Sequence, residues 1–319
     1  MNIEIITTAN EKLNESGFGS LSSCSSILEA VIKMGHNVLL NLYETKNDLR
    51  NTVMRKPDLV ILAVKYIITE DGETIWLSEF FAENGINFSG SSKDTLMFDS
   101  DKVLAKSYLK DKGIGTPRYF TAAPEEYKRD YDIPINYPLF LKPINSVNYN
   151  CEDEYSLVNN FTEFENKVLS LHNLYNVPIL VEEYIDGQDY TVSIIKAQDG
   201  NILVCAVEIL EPKLEKSIMV LGEEVKKQKK KKLVSIEDKV IKNRVENLAI
   251  DAYIDLKIRD FGQINIKKNK SGDCLFMQVN LVPDMTNGTS RFLEAFTIEQ
   301  GLNYNEVIGL MVDEGISRV

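Results

Sequence analysis

The sequence predicts a mixed chain, a doubly wound α/β segment at the N-terminus followed by α+β segments built mostly on antiparallel strands. Three observations carry this expectation. Residues 59–64 (LVILAV) form a continuous apolar run, the pattern of a parallel strand covered on both faces. Up to residue 92, short apolar runs alternate with amphipathic stretches, and beyond Ser89-Gly90-Ser91-Ser92 that rhythm changes. In the later part, Asp186-Gly187 and Asp199-Gly200 separate apolar strands as hairpin turns would.

Taken in order, a strand is expected at 3–7, a polar Gly/Ser loop over 16–26, a helix at 27–34 and a strand at 38–42. The run at 59–64 is followed by a loop, KYIITEDGET, and by a helix at 75–83. A helix at 100–110 is closed by Gly113 and Pro117. Then come a strand at 138–142 (PLFLK), a helix near 163–171, and strands at 179–183, 190–195 and 202–208. A helix at 240–256, strands at 261–267 and 274–280, and a helical region at 289–313 complete the chain.

The chain has 319 residues, enough for two or three domains with ample cores. No apolar run approaches the roughly 20 residues of a membrane span, so no membrane partner is expected. Lys and Arg number 36 against 48 Asp and Glu, a net charge of −12, which speaks against a general nucleic-acid footprint. Any anionic ligand must therefore be held by local cations. The N-terminus lacks the pattern of a secretory signal, so a cytoplasmic location is the expectation. Four widely spaced cysteines and two histidines point to core thiols and argue against a zinc site, a disulfide framework or a histidine triad. The basic run Lys226 to Lys232 reads as a solvated loop or hairpin face, a mobile flap over phosphates, or a nucleic-acid contact.

Three places could meet a nucleotide. Lys142 ends an apolar strand beside a Ser/Asn turn, where an ammonium and turn amides can meet phosphate oxygens. Glu182-Glu183-Tyr184-Ile185 follows another apolar strand and offers carboxylate and backbone groups to an adenine and its ribose. Gln263-Ile264-Asn265 and Gln278-Val279-Asn280 put alternate polar side chains on one strand face.

In this order these segments resemble the ATP-grasp superfamily and, within it, the D-alanine:D-alanine ligases. FDSDKVLAKSYLKDKGIGTP is similar to the family's "MDKxxxKxxxxxxGIPTP", and YPLFLKP to "FPxxVKP". VEEYIDGQDYTVSII resembles "VExxIxGxExTV", RDFGQINI resembles "RxxGRxDx", and FMQVNLVPDMT resembles "xxEVNTxPGMT". LVILAVKYIITEDGETIWLSEFFAENGINFSGSS looks like the strand, EDG loop, helix and "GxxYxGSG" that lead into the middle domain.

The resemblance implies a three-part ATP-grasp fold, with an N-terminal α/β domain at 1–92, a middle subdomain at 93–180 and a C-terminal subdomain at 181–319. It implies ATP as cofactor, activation of a carboxylate as an acyl phosphate, and attack by an amine. Lys102 and Lys142 fall on the phosphate positions, Glu182, Glu183 and Ile185 on the adenine edge, and Asp189 on the ribose position. Glu70 and Asp71 stand in the EDG loop near the first substrate, where Lys65 replaces a histidine.

Several positions depart from the pattern. The metal-binding positions are Asn265, Gln278 and Asn280, so two carboxylates have become amides and magnesium (Mg2+) loses its charged ligands. The arginine of "RxxGRxDx" is Gln263, and the glycine of "PGMT" is Asp284, a carboxylate where negative charge should build up. The phosphate loop after "KP" is shortened to INSVNYN, without glycine. These changes imply impaired or partner-dependent ligation. The alternatives are an active amino-acid or dipeptide ligase with altered substrate or metal use, or a nucleotide-binding regulatory subunit. Implied partners are a nucleotide, small amino acids, and a second copy or an intact ATP-grasp ligase.

Overall fold

The computed structural model describes residues 1–10, 13, 18–145, 156–210 and 232–318. The N-terminal unit contains β1 (Asn2–Thr7), α1 (Leu21–Lys33), β2 (Asn37–Leu42), α2 (Lys46–Arg55) and β3 (Leu59–Leu62). Its sheet has the order β2-β1-β3, all parallel, and Phe88 extends it by a parallel bridge to Val60. Every residue of β3 is buried, as its unbroken apolar run requires.

Two expectations change here. Residues 21–26 are helical rather than loop, because the Ser20 side chain accepts the Ser23 N–H and starts α1 six residues early. The KYIITEDGET segment is a hairpin of β4 (Tyr66–Ile68) and β5 (Thr74–Trp76), turning through Gly72 at φ +80° and backed by the Tyr66 and Trp76 rings 5.2 Å apart. The helix after it, α3 (Leu77–Glu83), starts two residues later than expected.

Next come α4 (Lys93–Ser100), α5 (Lys102–Asp111), β6 (Tyr119–Ala122), β7 (Leu139–Pro143), β8 (Leu157–Val158), α6 (Phe161–Tyr175) and β9 (Ile179–Glu183). The strands form an antiparallel sheet of order β6-β9-β7-β8. Leu139, Leu141, Ile179 and Val181 pack with Phe164, Val168 and Leu171 of α6 into one core. Since side chains alternate along a strand, Lys142 and Glu182 are on the opposite face of this sheet from that core.

The chain then enters a second antiparallel sheet. It holds β10 (Gly187–Lys196), β11 (Ile202–Leu210), β12 (Lys232–Ser235), β13 (Phe261–Asn269) and β14 (Cys274–Asn280), in the order β12-β11-β10-β13-β14. Asp199-Gly200 turns β10 into β11, as expected. Asp186-Gly187 does not make a hairpin, because β9 and β10 lie in different sheets. Gly187 is instead a site of close approach: a Cβ there would lie 1.8 Å from the Lys268 carbonyl oxygen of β13. The link between the sheets, Tyr184–Asp186, lies just beyond residue 180.

Helices α7 (Lys239–Asp255), α8 (Arg291–Gln300) and α9 (Tyr304–Ile316) complete the described chain. The N-terminal unit is clasped to this part by Asp260, which is buried and accepts the Gly90 N–H at 2.7 Å and the Arg318 Nη1 at 2.7 Å. Arg259 donates to the Gly90 carbonyl at 2.6 Å and lies 4.2 Å from the Phe88 ring centroid. Cys24 and Cys205 are buried as core thiols, whereas Cys274 is only partly so. Cys151, Lys226 to Lys231 and most of INSVNYN lie outside the described residues; Lys232 begins β12.

Candidate functional site

Lys142 and Glu182 share one face of the four-stranded sheet, on neighbouring strands β7 and β9. Lys142 Nζ is 2.8 Å from Glu182 Oε2, and Lys106 Nζ, reaching in from α5, is 2.6 Å from Oε1. Lys106 also lies 5.9 Å from the Phe276 ring centroid of β14, so the group sits where α5 and the two antiparallel sheets meet. All three side chains are buried. Burial alone would raise the Glu182 carboxyl, but the two ammonium groups outweigh it and bring its pKa down to about 2. Burial also works on Lys106, lowering it to about 8; Glu182 opposes that fall and Lys142 adds to it.

Lys102 opens α5 and donates from Nζ to the Asn145 carbonyl at 3.0 Å. Its backbone N–H bonds the Ile144 carbonyl at 3.2 Å. Both lysines expected at phosphates are thus attached to one strand end, the C-terminus of β7.

The carboxylates expected at the nucleoside are engaged within the protein. Glu182 is enclosed between Lys106 and Lys142, so its backbone rather than its carboxylate is what this strand can offer an adenine edge. Glu183 accepts the Arg118 backbone N–H at 2.8 Å and its Nε at 2.7 Å. Asp189 pairs with Lys267 at 3.1 Å. Ile185 is half-buried in the link between the sheets.

On β13 and β14 the amides gather. Gln263 stands opposite Asn280 and Asn265 opposite Gln278, so all four side chains share one face of the five-stranded sheet. Thr191 and Ser193 of β10 stand opposite Asn265 and Gln263 on that same face. Their hydroxyl oxygens are buried without a hydrogen-bond partner among the described residues. This donor set does not fit magnesium. The hard cation is normally held through carboxylates, and this face offers neutral amides and hydroxyls at every expected position. Among the described residues, no group of three His, Cys, Asp or Glu is placed to hold a metal ion.

The remaining expected residues stand apart from this group. Asp284 accepts the Thr286 N–H at 2.8 Å and its hydroxyl at 2.7 Å, closing the turn ahead of α8. Lys65 is fully buried against Asp99 at 3.0 Å, and Asp99 accepts the Leu281 N–H at 2.8 Å just beyond β14. Glu70 and Asp71 lie exposed at the β4–β5 turn, where Asp71 is 3.6 Å from Lys46 and bonds the Thr69 hydroxyl.

The sequence reading did not single out Lys106, Asp99, Arg118, Thr191 or Ser193. Lys106 carried a readable signal: with Lys102, Ala105 and Leu109 it forms an i, i+3, i+4, i+7 stripe, which places it on the inner face of α5. The others are defined by strand register and long-range contact.

The comparisons with known proteins agree with this architecture. The family model described as "D-ala D-ala ligase C-terminus" matches residues 109–313. The chain is 24% identical over 299 residues to a D-alanine–D-alanine ligase of Aquifex aeolicus, covering 92% of this chain and 94% of that protein. It is 26% identical over 280 residues to one from Marinomonas sp., covering 84% and 82%. Its fold is similar to that of the Bacillus anthracis D-alanine–D-alanine ligase crystallised with ATP, at a TM-score of 0.75 and 21% identity, covering 99% of this chain and 97% of the other.

Proposed function

Because the chain belongs to the D-alanine–D-alanine ligase family, we propose that it binds ATP between its two antiparallel sheets and is impaired, or dependent on a partner, in carboxylate–amine ligation. Lys102 and Lys142, both fixed at the end of β7, serve the phosphates. The backbone of Glu182 to Ile185 serves the adenine edge and Asp189 the ribose side. Magnesium would neutralise the charge that develops on a transferred phosphoryl group, and the amide face of this chain lacks the carboxylates that would hold it.

The observation that carries the reading is the neutral face formed by Gln263, Asn265, Gln278 and Asn280. It has side chains able to donate and accept hydrogen bonds, but neither the anionic ligands of a metal nor the guanidinium of a charge-stabilising arginine. ATP can be held while its γ-phosphoryl transfer is poorly supported. Glu70, Asp71 and Lys65 are assigned to the small amino-acid substrate side. The three-part division at 92 and 180, a cytoplasmic location, and pairing with a second copy or an intact ligase belong to the same proposal.

The test is ADP release by the purified chain with magnesium or manganese, across D-alanine and a panel of small amino acids. The expected result is ATP binding with little ADP release and little dipeptide. Vigorous dipeptide formation by the chain alone overturns the reading.

A further inference from the structure

We infer that the N-terminal unit carries a separate small-molecule site, a pocket for a free apolar α-amino acid between α2, β5 and α3. Arg50 takes the ligand's carboxylate, Glu83 its ammonium, and Trp76 and Phe80 its side chain. Every residue lining this pocket lies between 46 and 83, so the inference goes beyond the nucleotide reading and does not depend on it.

The cavity has a volume of about 310 Å³, at the lower end of the roughly 300–1000 Å³ typical of small-molecule sites. Its apolar lining comes from Ile75 and Trp76 of β5 and Phe80 of α3. All three side chains are only half-buried. A ligand side chain that covers them removes apolar surface from water, which favours binding.

Each helix brings one sign of charge to the cavity. Lys46 and Arg50 are four residues apart on α2, and Glu79 and Glu83 are four apart on α3, so each pair shares a helix face. Two of the four are paired, Lys46 with Glu73 and Glu79 with Lys93. The other two are not. Among the described residues, the Arg50 side chain has only a 3.5 Å hydrogen bond to neutral Asn47, and the Glu83 carboxylate has neither a hydrogen bond nor an ion pair. Arg50 and Glu83 line the same cavity and do not pair with each other. Opposite charges held apart beside an apolar lining match the carboxylate, ammonium and side chain of an apolar amino acid. The guanidinium fork also suits a carboxylate, which it can meet with two N–H groups at once.

Trp76 is the chain's only tryptophan, so its fluorescence reads the cavity directly. The test titrates the full chain with D- and L-leucine, following Trp76 fluorescence and, in parallel, heat. The amide, the N-acetyl derivative and alanine are then titrated in the configuration that binds more tightly. Leucine should give a saturable change, and alanine, too short to cover both rings, should bind about tenfold more weakly. Arg50→Gln should weaken leucine and N-acetyl-leucine by about fivefold and leave leucinamide, which has no carboxylate, unchanged. Glu83→Gln should weaken leucine and leucinamide by about as much and leave N-acetyl-leucine, which has no ammonium, unchanged.

Neither fluorescence change nor heat with leucine overturns the inference. Leucine binding that is indifferent to both substitutions overturns it too, because the amino acid is then held elsewhere, as on the Glu70, Asp71 and Lys65 side of the proposed ligase site. Arg50 and Glu83 are exposed, so both variants should fold like the parent. Arg50→Lys, which keeps the charge, should hold leucine more tightly than Arg50→Gln, and the reverse order contradicts the carboxylate assignment. A chain that binds no ATP but shows this leucine pattern removes the nucleotide reading and leaves the inference standing.

Discussion

Asn265 of β13 stands directly opposite Gln278 of β14, and both side chains belong to the sheet face that also carries Gln263 and Asn280. The same backbone register would bring two carboxylates together if these residues were Asp and Glu. Asn265→Asp with Gln278→Glu should therefore gain magnesium-dependent ATP binding, read by titration with magnesium and with chelator. Amide formation should stay low until Gln263→Arg and Asp284→Gly are added, since one missing oxyanion donor typically costs about 100- to 1000-fold. A quadruple variant that binds no metal contradicts the assignment of these four positions.

Lys142→Ala removes one of the two cations of the buried cluster and leaves Glu182 with Lys106. ATP affinity should fall by about tenfold. Breaking one partner from a buried ion cluster typically costs about 3–5 kcal/mol, so the urea midpoint should drop as well. Wild-type affinity in this variant would remove β7 from the nucleotide site.

Acid sensitivity should trace to Glu182. Its pKa is about 2 in the folded chain against an ordinary 4.5, so its contribution is full above pH 4.5 and is lost as pH falls from there towards 2. A shift of this size corresponds to roughly 3 kcal/mol at most. Lys106 acts at the other end. Lowered to about 8 from 10.5, it sheds its proton in the folded chain first, so its burial cost eases as pH rises between these values. Urea midpoints measured from pH 2 to 6 check the first effect. The slope in that window should be shallower in Glu182→Gln, and an unchanged slope would assign acid unfolding to other carboxylates.

Gly187→Ala should be strongly destabilising, by about 3 kcal/mol or more, because its Cβ would lie 1.8 Å from the Lys268 carbonyl oxygen. Thermal unfolding checks this. A loss below about 1 kcal/mol would show that β10 and β13 can separate there without cost.

Much of the fold was legible in the sequence because buried strands are written locally. The LVILAV run announces β3, and Asp199-Gly200 announces the β10–β11 hairpin. Helix α2 was not legible: Leu49 and Thr52 are its only buried residues, and its start rests on a Thr45–Asp48 capping box. Asp186-Gly187 misled because a turn dipeptide signals a change of direction, whereas entering a different sheet is decided by pairing with β13 far along the chain. At the site, the four amides followed from strand alternation. The burial of Lys106 and Glu182 against each other did not, since a charged residue is ordinarily expected in solvent.

The central claim is that ATP is held by lysines without a metal anchored on the protein. Calorimetric titration of the unmodified chain with ATP, in magnesium and in chelator, tests it most directly. The account predicts measurable binding in both, with affinities within about threefold, a difference of less than 1 kcal/mol. No binding in chelator together with tight binding in magnesium would show that Asn265, Gln278 and Asn280 still build a metal site, and would contradict the account.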